Sequence, residues 1–275
     1  HSMRLMSYRN LGEPGGPFYD PEYPNANDNP LVKSFAAMDT VTDPSPDEFG
    51  DPVLRPARPS DTFRSPYANE QQARASNQGA YPPDLSVITK ARAGGASYIY
   101  SLMSGYPGQD AFSTRELEPA PAEETEAAEA TGEESEPAAP VIAETETIID
   151  PAQVEALSHG DHHYEGELVQ PAGQYYNPYM AGDTTPQWRG DPRHAPPGGF
   201  LAMPPQLNPD RVTYLDGTEA TTEQMAHDVA MFLQWAGEPK QTQRKSLGLA
   251  VLIYLAILAV LLWFSFHRIW RNVDH

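Results

Sequence analysis

The chain has 275 residues, which is room for one folded domain with additional segments rather than for several large domains. Eighteen Lys and Arg against 38 Asp and Glu give a net charge of −20, which repels phosphate backbones and argues against nucleic-acid binding. The 29 Pro and 20 Gly predict long loops. The sequence has no Cys, so these 275 residues form no disulfide, no thiolate metal site and no cysteine nucleophile.

Three short helices are predicted in the first half of the chain. Asn69 can cap a helix in NEQQARASNQG and Asp84 can cap one in LSVITKAR, because their side chains accept hydrogen bonds from the free N–H groups of a first turn. These helices end at Gly79 and Gly94, and a third, ASYIYSLMSG, ends at Gly105. Strand-like alternation is scarce, which predicts a mainly α fold with long loops.

The acidic segment, residues 116–150, contains twelve acidic residues and no Lys or Arg. Such a composition cannot bury enough apolar surface to offset chain entropy, so we predict a disordered insertion in a folded domain. A solvated spacer is one role for it, and electrostatic attraction of a basic partner is another. A metal site in the neighbouring histidines is disfavoured by their position beside this insertion: His159, His162 and His163.

A longer amphipathic helix is predicted in the sequence TEQMAHDVAMFLQWAG. Thr221 and Gln224 have capping-box spacing, and the helix ends at Gly237. Apolar residues at steps of three and four indicate one buried face: Met225, Val229, Phe232, Leu233 and Ala236.

The C-terminal part of the sequence predicts a membrane span. Residues 247–266, LGLAVLIYLAILAVLLWFSF, carry no charge over twenty positions, about 30 Å of helix. A buried core helix is the alternative, but so long an apolar run would need an unusually large core. We therefore predict a folded domain at 1–240, a basic linker at 241–246, the span, and a short tail at 267–275. Basic residues flank both ends almost equally, so charge does not set the orientation.

Candidate chemistry is concentrated in two separated pieces of the sequence. There is no Gly-x-Ser-x-Gly motif or phosphate-binding glycine loop, so no catalytic residue is predicted. His1 stands at the start of HSMRLMSYRNL, and Met203 precedes Pro204 and Pro205 in GGFLAMPPQL. A loop methionine by itself is usually a packing residue. Paired with an imidazole, a thioether on a proline-stiffened loop forms the His/Met axial set of c-type cytochromes.

Several sequence blocks occur in one order along the chain: HSMRLMSYRNL at 1–11, RPARPSDTF at 55–63, SPYANEQQARASNQGAYPPDLS at 65–86, ARAGGASYIYSLMSGY at 91–106, YYNPYMAG at 175–182, GGFLAMPPQL at 198–207 and YLDGTEATTEQMAHDVAMFLQWAGEP at 214–239. On these blocks, and on the C-terminal span, the chain resembles the cytochrome c1 family. The resemblance covers nearly all of the chain except the acidic segment. It implies a cytochrome c-like haem domain at 1–240 anchored by one transmembrane helix.

The resemblance also implies a set of cofactor-binding residues for one haem c. His1 is the proximal and Met203 the distal iron ligand, so no coordination position stays open for a substrate. Arg92 pairs with a haem propionate, Tyr98 lies near the haem, and the pocket wall includes Pro82, Pro83 and Leu85. In the family His1 ends a Cys-x-x-Cys-His motif. We therefore expect the two attachment cysteines before residue 1 and a chain that begins within this motif.

The partners implied by the resemblance are those of a quinol–cytochrome c reductase, the cytochrome bc1 complex. Electrons arrive from the Rieske iron–sulfur protein and leave to a cytochrome c, while cytochrome b oxidises quinol. The complex is dimeric, and the haem domain lies on the periplasmic side of a bacterial inner membrane, or on the equivalent side of another energy-transducing membrane. An acidic surface suits a basic cytochrome c.

Two alternatives remain open from the residues alone. One is a membrane-tethered acidic interaction protein without a redox role, which accounts for the charge and the anchor but not for the blocks around Arg92 and Met203. The other is a different membrane-anchored c-type cytochrome.

Overall fold

A computed structural model describes residues 1–116, 145–157, 164–209 and 211–271. The described helices are α1 (Pro30–Ala37), α2 (Glu70–Ser76), α3 (Ile88–Ala91), α4 (Ala96–Ser104), α5 (Pro151–Leu157), α6 (Thr222–Gly237) and α7 (Gln241–Trp270). The described strands are β1 (Thr40–Thr42), β2 (Leu54–Pro56), β3 (Phe112–Glu116), β4 (Thr145–Ile149), β5 (Gly166–Gln170), β6 (Tyr175–Asn177), β7 (Trp188–Gly190) and β8 (Gly199–Leu201).

The chain divides into two units. Unit 1 comprises His1–Arg74, Tyr81–Ala96 and Val229–His275, and unit 2 comprises Ala75–Ala80 and Ser97–Asp228. Each unit has its own apolar cluster. The sequence blocks that carry the candidate ligands are therefore distributed over the two units, with His1 in unit 1 and Met203 in unit 2.

The core of unit 1 is formed around α1 and the N-terminal segment. Asn29 caps α1, because its Oδ1 accepts a hydrogen bond from the Leu31 N–H at 2.9 Å. The buried Tyr8 donates a hydrogen bond from its hydroxyl to Asp39. Its burial, and to a smaller extent this hydrogen bond, raise the pKa of Tyr8 to about 12. The cluster consists of Tyr8, Leu11, Val32, Ala36 and Ala57, with Phe18, Val41, Phe63, Phe232 and Trp235 packed against it.

Unit 2 is built on two antiparallel sheets. The larger sheet has the strand order β3-β4-β5-β7, and the smaller one pairs β6 with β8. Leu168 on β5 lies opposite Ile149 on β4 and Trp188 on β7, and its side chain is fully buried. These residues form the unit's apolar cluster together with Val154, Tyr164 and Tyr176.

The prediction of a mainly α fold is only partly confirmed, because the described residues contain a substantial sheet as well as seven helices. One strand, Thr145–Ile149, lies inside the acidic segment that was predicted to be disordered. Its last two residues, Ile148 and Ile149, are buried, so this end of the segment has the apolar surface that the rest of its composition lacks. Residues 117–144 lie outside the described residues.

The predicted helix caps are confirmed at two of three positions. Asn69 Oδ1 accepts from the Gln72 N–H at 2.8 Å, and Thr221 Oγ1 accepts from the Gln224 N–H at 3.1 Å. The prediction for Asp84 was wrong, since the helix that follows it is only the four-residue α3. The carboxylate of Asp84 instead bonds to residues at the N-terminus of the chain.

The apolar C-terminal helix α7 is longer than the predicted span. It begins at Gln241, so residues 241–246, which were predicted as a basic linker, are helical and continuous with the span. These six residues include neither Pro nor Gly, and Gln, Arg and Lys are good helix formers. The helix is long and apolar enough to cross a bilayer, and none of its most apolar window is buried in the described structure. The first four residues of the predicted tail, 267–270, also belong to it.

We predict that Leu168→Ala destabilises unit 2 by about 2–5 kcal/mol, because it leaves a cavity in a closely packed sheet. The measurement is chemical unfolding of the detergent-solubilised protein followed by circular dichroism. The matched control is Leu215→Ala in the same unit, where the side chain is fully exposed and the change should stay within about 0.5 kcal/mol. Equal effects of the two substitutions would contradict the packing described here.

Candidate functional site

The imidazole of His1 is oriented by a backbone carbonyl. Its Nδ1 lies 3.1 Å from the carbonyl oxygen of Pro83. A carbonyl oxygen can only accept, so Nδ1 carries the hydrogen and Nε2 keeps its lone pair. Metal-binding histidines are typically held in this way, with one ring nitrogen bonded to a protein acceptor and the other directed to the metal. The His1 side chain thus fits an iron ligand.

The first residues of the chain are bonded to the segment that follows Pro83. Asp84 Oδ2 accepts hydrogen bonds from Ser2 Oγ and from the Arg4 N–H, both at 2.9 Å. The Leu85 N–H donates to the Ser2 carbonyl at 2.8 Å. These bonds fix the two segments side by side, so the His1 ring and the Pro83 carbonyl are held in register.

The charge of Asp84 is stabilised where it is partly buried. Burial alone raises the pKa of this carboxyl, but the hydrogen bonds from the Arg4 N–H and from Ser86 outweigh burial and lower it below the usual range. Asp84 therefore remains a carboxylate at neutral pH and can accept all of its hydrogen bonds. The predicted capping residue is in fact the residue that binds the His1 segment to the rest of unit 1.

An open pocket lies beside His1 in unit 1. The Arg4 guanidinium donates to the Tyr81 hydroxyl at 2.8 Å at its edge. Its lining residues are His1, Ser2, Arg4, Ser65, Pro66, Tyr67, Asn69, Ala73, Tyr81 and Pro82. Of the predicted pocket residues Pro82 lines this space, whereas Pro83 contributes its carbonyl to His1. Sequence reasoning missed Tyr81, because the bond from Arg4 joins residues 77 positions apart.

Met203 lies in unit 2, in the irregular segment that follows β8. The residue is half-buried, and its carbonyl accepts a hydrogen bond from the Tyr106 hydroxyl at 2.9 Å. Pro204 and Pro205 follow without N–H groups, which limits the conformations of this loop. A polarizable thioether on a restrained backbone fits a soft ligand of haem iron.

Tyr98 and Arg92 are placed less specifically. The Tyr98 hydroxyl on α4 lies 3.7 Å from the sulfur of Met180, so among the described contacts it pairs with a different methionine from Met203. Arg92 is exposed at the C-terminal end of α3, and its guanidinium donates to the Ala91 carbonyl at 3.2 Å. Its assigned partner, a propionate, belongs to the haem, so this role stays a prediction.

The described residues do not offer a competing metal site. Within 1–116, 145–157, 164–209 and 211–271, no group of three or more His, Asp or Glu side chains is placed to hold a metal ion. The histidines at 159, 162 and 163 lie outside these ranges.

The chain thus combines a helix long and apolar enough to cross a bilayer with an exposed imidazole whose Nδ1 is held by a carbonyl oxygen, as in metal-binding histidines. The Cytochrome C1 family model matches residues 1–273, and the chain belongs to this family. Over all 275 of its residues the chain is 35% identical to "Cytochrome c1" of Rhodospirillum rubrum, and the match covers 76% of that protein. It is also 38% identical to "Cytochrome c1, heme protein, mitochondrial" of Saccharomyces cerevisiae over 80% of the chain and 48% of that protein.

A third relative carries the name of an assembly. "Cytochrome b-c1 complex catalytic subunit, mitochondrial" of Candida albicans is 38% identical over 80% of the chain and 52% of its own length. The chain thus spans about half the length of the two fungal relatives and three quarters of the bacterial one. Family membership implies a c-type haem, which agrees with the separate fits of His1 and Met203 to haem iron.

We predict that Asp84→Ala loosens the first residues of the chain. Removing the carboxylate frees the Ser2 hydroxyl and the Arg4 N–H, so amide exchange at Arg4 should accelerate while exchange in the α1 core stays unchanged. The control is Asp47→Ala, which removes a carboxylate bonded to the N–H groups of Phe49 and Asp51 in another exposed loop of unit 1.

The same bond predicts a pH dependence. Because the folded pKa of Asp84 is lowered, its contribution is present above the unfolded value of about 3.9 and is lost as the pH falls through the lower folded value. Amide exchange of Arg4, corrected for intrinsic rates, should then rise selectively in acid. Equal exchange in the unsubstituted protein and in Asp84→Ala at neutral pH would contradict the proposed role of this carboxylate.

Proposed function

We propose that this chain is the electron-transfer subunit of a respiratory cytochrome bc1 complex, with one haem c ligated by His1 and Met203. The observation that carries the proposal is the hydrogen bond from His1 Nδ1 to the Pro83 carbonyl, which leaves Nε2 free to bind iron beside an open pocket. Family membership supports the haem, and the name of the Candida albicans relative supports the complex.

The haem supplies reversible one-electron exchange at its iron when it is bound. His1 contributes a neutral imidazole whose tautomer is fixed, and Met203 contributes a neutral thioether that favours the reduced state. If both residues bound the iron, no coordination position would stay open for a substrate. This chain therefore carries electrons, while quinol oxidation takes place on cytochrome b.

Arg92, Tyr98 and Pro83 complete the proposed cofactor-binding set. The exposed guanidinium of Arg92 is available for a charge-assisted pair with a haem propionate. Pro83 acts through its carbonyl on His1, and Tyr98 contributes from α4 in unit 2. Covalent attachment requires cysteines, which we propose lie in the residues encoded before His1.

The proposed electron donor is the Rieske iron–sulfur protein and the proposed acceptor is a cytochrome c. A relative named "Cytochrome b/c1" in Bradyrhizobium diazoefficiens, 33% identical over 99% of this chain and 31% of its own length, supports cytochrome b as a direct partner. We place the haem domain on the periplasmic side of the inner membrane, anchored by α7, in a dimeric complex. The net charge of −20 suits a basic acceptor, because attraction at long range raises the encounter rate. Family membership weighs against an acidic interaction protein without a redox role.

We predict that Met203→Leu in the complete protein lowers the haem midpoint potential and allows carbon monoxide to bind the reduced iron, because leucine offers no lone pair. Redox titration and carbon monoxide difference spectra measure the two effects. Met180→Leu is the matched control, since Met180 is also half-buried in unit 2 and lies beside Tyr98. If Met180→Leu alone produced both effects, the distal ligand would be Met180 and the present assignment would be wrong.

We predict that the acidic segment accelerates association with a basic cytochrome c. Replacing its eight glutamates between residues 118 and 143 by glutamine should lower the association rate and flatten its dependence on ionic strength, while the haem spectrum stays unchanged. Stopped-flow kinetics over a range of salt concentrations measures this. Deleting residues 118–143 separates charge from length. An unaltered salt dependence in both variants would leave the segment with the role of a spacer.

A further inference from the structure

We propose that Tyr106 is a positioning residue for the thioether of Met203. Its hydroxyl donates to the Met203 carbonyl at 2.9 Å, and both residues lie in unit 2. The bond holds the backbone of the residue that carries the thioether. This inference rests on the proposed function, because it assumes that Met203 is the distal ligand.

The hydroxyl of Tyr106 is suited to act as a permanent donor. Burial is the main reason that its pKa is raised above the usual value, and the neighbouring Tyr98 adds to the effect. The raised pKa favours the neutral phenol, which is the form that can donate its hydroxyl hydrogen. A phenol that is partly removed from water also gains more from a hydrogen bond than one on the surface.

The Met203 loop has few ways to hold itself in place. Pro204 and Pro205 have no N–H groups, so they cannot donate to a neighbouring strand or turn. The Gln206 side chain donates to the Pro204 carbonyl at 3.0 Å, and Arg211 donates to the Gln206 carbonyl at 2.8 Å. Both of these bonds are local. The bond from Tyr106 spans 97 positions in the sequence and ties the loop to a distant element.

The element that carries Tyr106 is itself firmly fixed. Asn177, fully buried at the end of β6, donates to the Leu102 carbonyl in the last turn of α4 at 2.8 Å. Gly105 allows the backbone before Tyr106 to lie close to the ring of Tyr179. A Cβ at this position would be 2.4 Å from that ring and 2.6 Å from the Ser101 carbonyl oxygen. Tyr106 thus extends from a rigid base, which a positioning residue requires.

The test compares Tyr106→Phe with the unsubstituted complete protein. Phenylalanine keeps the ring and removes only the donor, so we expect methionine ligation to be lost more readily. The readouts are the absorption band of methionine-ligated ferric haem as pH is raised and the binding of carbon monoxide to the reduced protein. The equilibrium constant for methionine dissociation should rise roughly five-fold, the fold-change expected for one ordinary hydrogen bond.

Tyr176→Phe is the matched control. Tyr176 also lies in unit 2, and its hydroxyl donates to the Pro197 carbonyl at 2.6 Å, so the substitution removes a bond of the same kind from another place. It should lower the stability of the unit without changing methionine dissociation. Amide exchange at Leu207 and Asn208 gives a second readout, independent of the haem, and should accelerate in Tyr106→Phe only.

Each outcome has a distinct meaning. Faster loop exchange and easier methionine dissociation in Tyr106→Phe, with neither change in Tyr176→Phe, support the proposal. Equal behaviour of the two variants overturns it and leaves Tyr106 with an ordinary packing role. If the unsubstituted protein shows no methionine-ligation band, the proposed function fails. Faster loop exchange in Tyr106→Phe then shows only that the hydroxyl restrains the loop, and the ligand-positioning role is rejected.

Discussion

The hydrogen bond between His1 Nδ1 and the Pro83 carbonyl is the interaction on which the functional interpretation depends. It selects one tautomer of an exposed ring and leaves Nε2 as the atom with a free lone pair. The ring is exposed, so without a hydrogen-bond partner it would rotate more freely. Asp84 provides the restraint by binding Ser2 and Arg4, so the register of the two segments determines where the ring lies.

The two candidate ligands are held by different means, and the difference follows from their chemistry. An imidazole has a second polar atom, so the protein can orient His1 directly through Nδ1. A thioether has one sulfur and no N–H or O–H group. Once the sulfur binds a metal, the side chain has no further polar atom with which the protein could form a hydrogen bond. Hydrogen bonds can therefore position Met203 only through its backbone, and the bond from Tyr106 to its carbonyl acts there. The prolines after Met203 serve the same end by restricting backbone rotation.

Local signals in the sequence predicted the local features of the fold. The caps at Asn69 and Thr221 were predictable because the capping residue and its N–H partner lie three positions apart. The strand at Thr145–Ile149 was not predicted, because an acidic composition masks two buried isoleucines whose partners lie on other strands. Asp84 was misassigned for a related reason: besides the nearby Ser86 N–H, its carboxylate bonds to residues about 80 positions away, and the helix begins only at Ile88.

The candidate site shows the same division. His1 and Met203 were predicted as ligands from their residue types, from the prolines that follow Met203 and from the resemblance to the cytochrome c1 family. The Pro83 carbonyl and the Tyr106 hydroxyl were beyond sequence reasoning in their specific roles, because each acts across some 80 to 100 positions. Both are common groups with no compositional signature. Residues that coordinate a metal are thus easier to recognise from sequence than residues that position the ligands.

A carboxylate between α6 and α7 links α7 to α3 through hydrogen bonds. Glu238, between α6 and α7, accepts hydrogen bonds from Lys90 on α3 and from Arg244 in the first part of α7. The hydrogen bond from Lys90, and to a smaller extent the one from Arg244, hold the pKa of Glu238 below the usual range, so the carboxylate stays charged at neutral pH. The Thr89 hydroxyl adds a bond to the Leu233 carbonyl on α6. Because α3 ends one residue before Arg92, the segment that carries the proposed propionate partner is fixed to the helix that is long and apolar enough to cross a bilayer.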